Sequence, residues 1–201
     1  VFPYHVTYDH MCSDIVQSLQ WILTHLHEHV NNGDYDSIYL SGHSAGGHLV
    51  SLIATDTTYL QSSNLSPTLI KGVIAMSGIY TVYNPFHDFQ WFRRYFFRLN
   101  YVSSAFQSIQ QHKLEQCSPI SYISSIAPPF LVLAAASDLG LEADAQRFVQ
   151  KGIEKGAQME YVIIPKTNHA SIASQLEKHD ASMHVIRFIT QQQEGRVKAE
   201  V

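Results

Sequence analysis

The sequence predicts an α/β fold, with a mostly parallel sheet flanked by helices. Short apolar segments typical of buried strands alternate with longer segments whose apolar residues recur every three or four positions, as in amphipathic helices. Such alternation gives βαβ units, whose parallel strands are covered by helices on both faces. The 201 residues are enough for a buried core, and we expect one domain over 1–201.

The predicted elements follow one another along the chain. A first helix is expected over 9–30, where apolar residues from Met11 to Val30 fall on one face. Pro165 is expected to end the last strand. Strands are predicted at 36–41, 70–77, 130–136 and 158–164, and further helices at 44–60, 142–156 and 171–192. The apolar faces expected for the last two helices are formed by Ala145, Phe148, Val149 and Ile153, and by Ile172, Leu176, Met183, Ile186 and Ile189.

Residues 79–129 break this alternation. Eleven aromatic residues lie between Tyr80 and Phe106, with Arg93, Arg94 and Arg98 among them. A core segment would instead carry Val, Ile and Leu at regular spacing. We therefore interpret this segment as an aromatic-rich cap over a mostly apolar pocket, and a simple core segment is the alternative.

A G-x-S-x-G motif joins the first predicted strand to the helix that follows it. It runs from Gly42 through Ser44 to Gly46. In a nucleophile elbow the serine occupies a strained turn, and glycines stand two residues to either side because a Cβ would clash. The N–H of Ala45 would then point towards a developing oxyanion near a helix N-terminus. A Gly/Ser-rich turn is the alternative, but the strand before and the helix after favour the elbow.

Two further residues follow predicted strands. Asp138 comes after the third strand and His169 after the fourth, and the carboxyl ends of parallel strands meet at one edge of the sheet. A serine hydroxyl needs a base that is itself oriented, so His169 is expected to take the proton of Ser44 while Asp138 holds the other ring nitrogen. The alternatives are Asp144 as the acid, Asp138 as a helix cap, and His169 as a solvated loop residue.

Four other histidines are candidates for a functional role. His43 and His48 flank the elbow. His43 is predicted to contact substrate, although packing alone is the alternative for both residues. His25 and His29 share a helical face, but the order around them does not match H-E-x-x-H, so no metal site is expected.

Charge and hydropathy exclude several classes of partner. The net charge of −4 gives no reason to expect nucleic acid or an anionic membrane as a partner. No apolar run approaches the ~18–20 residues that span a bilayer. Cys12 and Cys117 do not form a disulfide framework, and free thiols favour a reducing, cytoplasmic location.

Two stretches resemble a known family. Residues 40–49, Leu-Ser-Gly-His-Ser-Ala-Gly-Gly-His-Leu, and residues 71–80, Lys-Gly-Val-Ile-Ala-Met-Ser-Gly-Ile-Tyr, are similar to the esterase/lipase and kynurenine formamidase (arylformamidase) branch of the α/β-hydrolases. The order Ser, Asp, His along the chain is the one α/β-hydrolases use. The resemblance covers about 2–189. It implies Ser44 as nucleophile, His169 as general base and acid, Asp138 as its orienting group, and neither metal nor organic cofactor.

The resemblance implies a serine hydrolase that cleaves a carboxylic ester or related acyl bond of a small molecule through an acyl-enzyme. Hydrolysis of an aryl formamide is the second hypothesis, and a non-catalytic binding module the third. The family's H-G-G oxyanion loop and the strands that carry it are not found in this sequence. We therefore expect the chain to be the C-terminal part of a longer hydrolase, with its elbow strand at a sheet edge.

Overall fold

The computed structural model describes residues 6–29, 37–83, 111–178 and 180–199, and these contain a four-stranded parallel sheet. The spatial order of the strands, β1-β2-β3-β4, is also their order in the chain. The predicted α/β fold class is therefore confirmed. The strands are β1 (Ile38–His43), β2 (Ile70–Met76), β3 (Phe130–Ser137) and β4 (Met159–Asn168).

Seven helices lie within the described ranges, none of them both long and apolar enough to cross a membrane. Short 3-10 turns occur at Pro67–Leu69, Pro119–Ser121 and Leu176–Lys178. The helices are α1 (Tyr8–His29), α2 (Ala45–Thr55), α3 (Thr58–Gln61), α4 (Gln111–Gln116), α5 (Glu142–Glu154), α6 (Ser171–Ser174) and α7 (Ala181–Ala199).

The two faces of the sheet are covered by different helices. On β2, Val73 and Ala75 belong to a cluster with α1, α2 and α5, whereas Ile74 and Met76 pack with α6 and α7. This division follows from the alternation of side chains along a strand. Because the strands run parallel in chain order, right-handed connections place α2 and α5 on the same face.

The helix predicted over 44–60 is interrupted. It ends at Thr55, and Asp56 adopts an extended conformation with ψ 93°. The Asp56 carboxylate accepts a bond from the N–H of Thr58 at 3.1 Å and another from its hydroxyl at 2.6 Å, which starts α3. Asp at such a position satisfies the N–H groups that a helix start leaves unpaired.

The prediction that Pro165 ends the last strand is wrong. β4 continues to Asn168, and between the pairs Ala135–Ile164 and Ser137–Asn168 it uses more residues than β3 does. Lys166 within this bulge has a positive φ of 59°. A proline has no N–H to donate to a ladder, and a bulge is one of the places where a strand accommodates it.

The closing helix predicted over 171–192 is divided into α6 and α7, and residue 179 lies outside the described ranges. Because α7 restarts at Ala181, its inward face carries Ala181 and Phe188, while Met183 and Ile186 are exposed. The stripe expected from continuous periodicity is therefore wrong for these two residues.

The middle of the segment interpreted as a cap, residues 84–110, lies outside the part of the chain that the structure describes. Its two ends are joined to each other. The N–H of Val82 donates to the hydroxyl of Ser118 at 2.8 Å, and the N–H of Ile120 donates to the carbonyl of Tyr80 at 3.1 Å. The cap itself stays a prediction.

Candidate active site

Ser44 lies in a strained turn between β1 and α2. Its φ of 56° and ψ of −117° are unusual for a residue that carries a Cβ. Its N–H donates to the carbonyl of Met76 on β2 at 2.9 Å, and its own carbonyl accepts from the N–H of His48 at 3.0 Å. Bonds to a strand and to a helix thus hold the unfavourable conformation in place.

The glycines around Ser44 do not all serve the same purpose. A Cβ on Gly42 would lie 2.3 Å from the carbonyl oxygen of Gly46, so no side chain fits there. At Gly46 itself no such contact arises within 4 Å among the described atoms, so the predicted steric reason applies to one glycine of the motif and not to the other. The second tight position is Gly47, where a Cβ would lie 3.1 Å from the Cα of Gly78.

The three residues predicted from strand ends lie together in one hydrogen-bonded series. Nε2 of His169 is 2.9 Å from Oγ of Ser44, and Nδ1 of His169 is 2.8 Å from Oδ1 of Asp138. Asp138 is 1% exposed, and the His169 side chain is 22% exposed. The ring of His169 is thus partly accessible to water, and the carboxylate of Asp138 is shielded from it.

Further bonds fix the orientation of Asp138. Its Oδ2 accepts the N–H of Ala135 at 3.1 Å, and its own N–H donates to the carboxylate of Glu142 at 2.7 Å. Glu142, which the sequence did not single out, therefore braces the turn that carries the acid. Asp138 does not cap α5 through its side chain, because that helix begins without a side-chain capping bond.

Asp144, the alternative to Asp138 as the carboxylate that holds His169, bonds to a different part of the chain. It is fully buried, and its Oδ2 accepts the N–H groups of Tyr80 at 2.7 Å and Thr81 at 3.2 Å. Burial raises the pKa of the Asp144 carboxyl, although these bonds and the nearby Arg147 oppose the shift. Asp144 therefore fixes the segment that follows β2.

The loop that carries His169 is shaped by Asn168. Its side-chain oxygen accepts the N–H groups of Ala170 and Ser171, both at 3.0 Å, and its N–H donates to the hydroxyl of Ser171 at 2.9 Å. These bonds start α6 immediately after the histidine. This role of Asn168 is not among the predictions from the sequence, although an Asn three residues before a Ser is a recognisable turn and capping signal.

Each of the two histidines that flank the elbow has a ring nitrogen within hydrogen-bond distance of a backbone carbonyl oxygen. Nε2 of His43 is 2.6 Å from the backbone carbonyl of His169, and the two rings lie 4.9 Å apart at 46°. Nε2 of buried His48 is 2.7 Å from the carbonyl of Cys117, and burial lowers the pKa of His48 to about 4. His48 is therefore neutral at pH 7, and substrate contact by His43 stays a prediction.

Ala45 is the first residue of α2, so its N–H is one of those without an acceptor inside the helix. That position agrees with an oxyanion donor, and the role stays a prediction. Of the histidines weighed for metal, His25 stacks on Trp21 with ring centroids 4.6 Å apart, and the side chain of His29 lies outside the described residues.

Comparison with solved structures identifies the fold as that of the α/β-hydrolases. The chain is similar to esterase B from Lactobacillus Rhamnosis (HN001), with a TM-score of 0.77, 16% identity, and coverage of 100% of this chain and 66% of that one. It is also similar to the butyrate-bound esterase Est2 from the Planctomycetes species Thermogutta terrifontis, with a TM-score of 0.64, 17% identity, and coverage of 96% and 67%.

The chain belongs to the BD-FAE family, whose model matches residues 4–151. That range contains Ser44 and Asp138 and ends before His169. The probable carboxylic ester hydrolase LipM of Mycobacterium tuberculosis (strain ATCC 25618 / H37Rv) is 29% identical over 167 residues, which are 81% of this chain and 38% of LipM. Isoprenylcysteine alpha-carbonyl methylesterase ICME of Arabidopsis thaliana is 24% identical over 174 residues, 83% of this chain and 40% of ICME. The chain thus spans about two-fifths of the length of these relatives.

Proposed function

We propose that the chain carries the catalytic residues of a serine hydrolase that cleaves carboxylic esters through an acyl-enzyme. The observation that carries the proposal is the hydrogen-bonded series from buried Asp138 through His169 to Ser44 in its strained turn. The relatives named as a carboxylic ester hydrolase and a methylesterase support an ester as the substrate class.

The first half of the reaction forms the acyl-enzyme. Oγ of Ser44 bonds to the acyl carbon while Nε2 of His169 takes the hydroxyl proton, which requires the tautomer whose Nδ1–H faces Asp138. Asp138 stabilises the imidazolium that results. The N–H of Ala45 donates to the oxyanion. As the tetrahedral intermediate collapses, the bond between the acyl carbon and the alcohol oxygen breaks and His169 gives its proton to the departing alcohol.

The second half releases the acid. A water molecule gives a proton to Nε2 of His169 as its oxygen attacks the acyl carbon, and the collapse of the second tetrahedral intermediate returns that proton to Oγ of Ser44. The products are one carboxylic acid and one alcohol. The open side of the His169 ring is where the water and the leaving alcohol can reach the base.

The decisive experiment uses a fluorophosphonate probe on the full-length protein. We expect wild type to be labelled and Ser44→Ala to be unlabelled. Ser41→Ala is the matched control, because Ser41 lies three residues earlier on β1 with an exposed side chain, and labelling should persist there. A folded wild type that takes no label, or a Ser44→Ala variant that does, would show the proposal to be wrong.

The kind of bond that is cleaved, ester or formamide, is tested by comparing turnover of p-nitrophenyl esters of short acids with that of N-formylkynurenine, an aryl formamide. We expect faster turnover of the esters. Preference for the formamide would replace the ester by an amide substrate while leaving the roles of Ser44 and His169 unchanged. Turnover of neither, together with tight retention of either compound, would indicate the non-catalytic binding module.

A further inference from the structure

The side chain of His43 links the two reacting residues by a route that the series of Ser44, His169 and Asp138 does not use. His43 is the last residue of β1 and directly precedes Ser44. Its Nε2 lies 2.6 Å from the backbone carbonyl oxygen of His169, across 126 residues of sequence. A carbonyl oxygen only accepts, so Nε2 of His43 carries the proton of this bond.

We infer that His43 is a positioning residue, which sets the distance between Ser44 and His169 by holding the backbone of His169. The inference rests on the proposed function. It differs from the expected substrate contact of His43, because the bond that we invoke ends on the protein's own main chain.

The backbone of the loop around His169 is held to β3 at its start, where Asn168 pairs with Ser137, and the bond from His43 holds it to the elbow. The bonds of Asn168 join residues 168–171 to one another, so they set the shape of the loop but not its distance from Ser44. The strand before the loop is irregular, since β4 is bulged and Lys166 has a positive φ. His43 and Ser44 are consecutive residues. A hydrogen bond from His43 to the carbonyl of His169 therefore fixes the distance between the loop and Ser44.

The ring of His43 also limits the orientation of the base. The two imidazoles lie 4.9 Å apart at 46°, so His43 occupies space on one side of the His169 ring. A displacement of about 1 Å between reacting groups can cost about 100-fold in rate. A bond that fixes this distance should therefore affect the chemical step more than substrate binding.

The test compares His43→Phe, which keeps an aromatic ring but removes the donor, with His43→Gln, whose side-chain N–H can reach the same carbonyl. In the full-length protein we expect His43→Phe to lower kcat about tenfold, with KM within about twofold, because the lost interaction acts in the transition state. His43→Gln should recover most of kcat. His43→Met, also without a donor, repeats the test if the phenylalanine variant does not fold.

A spectroscopic readout separates this inference from the proposed function. The Nδ1 proton of His169, bonded to Asp138, should give a downfield proton NMR signal that broadens or shifts in His43→Phe and returns in His43→Gln. Unchanged kcat and an unchanged signal in His43→Phe would overturn the inference while fluorophosphonate labelling of wild type still supported the function. A rise in KM alone would instead make His43 a substrate contact and would also overturn it.

Discussion

Gly42 and Gly46 meet backbone to backbone, so a Cβ on Gly42 would lie 2.3 Å from the carbonyl oxygen of Gly46. Gly42→Ala must therefore displace the first turn of α2 or the end of β1. We expect this variant to lose labelling by a fluorophosphonate and to lower the free energy of unfolding by about 1–3 kcal/mol, as overpacking typically does. Urea denaturation and probe labelling measure the two effects.

Gly46→Ala is the matched control for that variant. No contact within 4 Å arises among the described atoms, and Gly46 is a helical residue of α2. Alanine in a helix is favoured over glycine by up to about 1 kcal/mol. We expect the free energy of unfolding to stay constant or rise. A loss as large as that of Gly42→Ala would contradict the steric account of the elbow.

Asp138 and Asp144 allow a second matched comparison, because only the first contacts His169. Asp138→Asn should lower kcat on an ester by about 10⁴-fold, as the equivalent change does in a serine protease of unrelated fold, because the asparagine favours the wrong tautomer of the base. Asp144→Asn should leave kcat within about threefold, since an amide oxygen can still accept from Tyr80 and Thr81.

Asp144→Ala completes that comparison through stability. It leaves two buried N–H groups without their acceptor, which costs about 1–3 kcal/mol each. We therefore expect a lower urea midpoint for Asp144→Ala than for Asp144→Asn. Equal effects of Asp138→Asn and Asp144→Asn on kcat would contradict the assignment of Asp138 as the orienting acid.

His48 should make stability depend on pH. Burial lowers its pKa from 6.5 to about 4, so between these values the unfolded chain binds a proton that the folded protein does not. The contribution of neutral His48 to the free energy of unfolding is fully present above pH ~6.5. It decreases by about 3 kcal/mol as the pH falls from there to about 4. Urea denaturation gives the free energy of unfolding of wild type and of His48→Gln at each pH from 8 to 4. The contribution of His48 is the change, over this range, in the difference between the two free energies. A constant difference would contradict the prediction.

Phe148 is expected to be a large contributor to the core. It is fully buried on α5, stacked on Tyr80 with ring centroids 4.4 Å apart and edge-on to Phe130 at 5.4 Å. Phe148→Ala should lower the free energy of unfolding by about 3–5 kcal/mol. Ile153→Ala on the same helix, with 55% exposure in wild type, should change it by less than about 0.5 kcal/mol. Similar losses at both positions would contradict the described packing.

Ser44, Asp138 and His169 could be predicted together because each follows an apolar segment, and the ends of parallel strands meet at one edge. That argument needs no side-chain geometry. The bond from His43 to the His169 carbonyl was beyond it, since strand order does not say which way a ring turns. The role of Glu142 was missed for the same reason, because it depends on the shape of the turn after β3.

Periodicity alone misplaced several apolar residues. The periodicity places Ile153 on the buried face of its helix, but this residue is exposed and lies next to the last residue of α5. Met183 is expected on a buried face only if one helical phase continues from residue 171, but the helix is interrupted and restarts at Ala181. The break at Asp56 carried a readable signal, because Asp and two threonines in succession favour a cap over a helix interior.

The four strands lie side by side in the sheet in the same order in which they occur in the chain. This order affects how the protein can fold while it is being synthesised. Each strand that leaves the ribosome can pair with the exposed edge of the strand synthesised before it, so the sheet can grow in one direction during translation. In the proposed mechanism the nucleophile, Ser44, is synthesised 125 residues before its base, His169. If that mechanism holds, a nascent chain carries an unactivated serine until the loop after β4 has emerged, and reactivity towards a fluorophosphonate reports completion of β4.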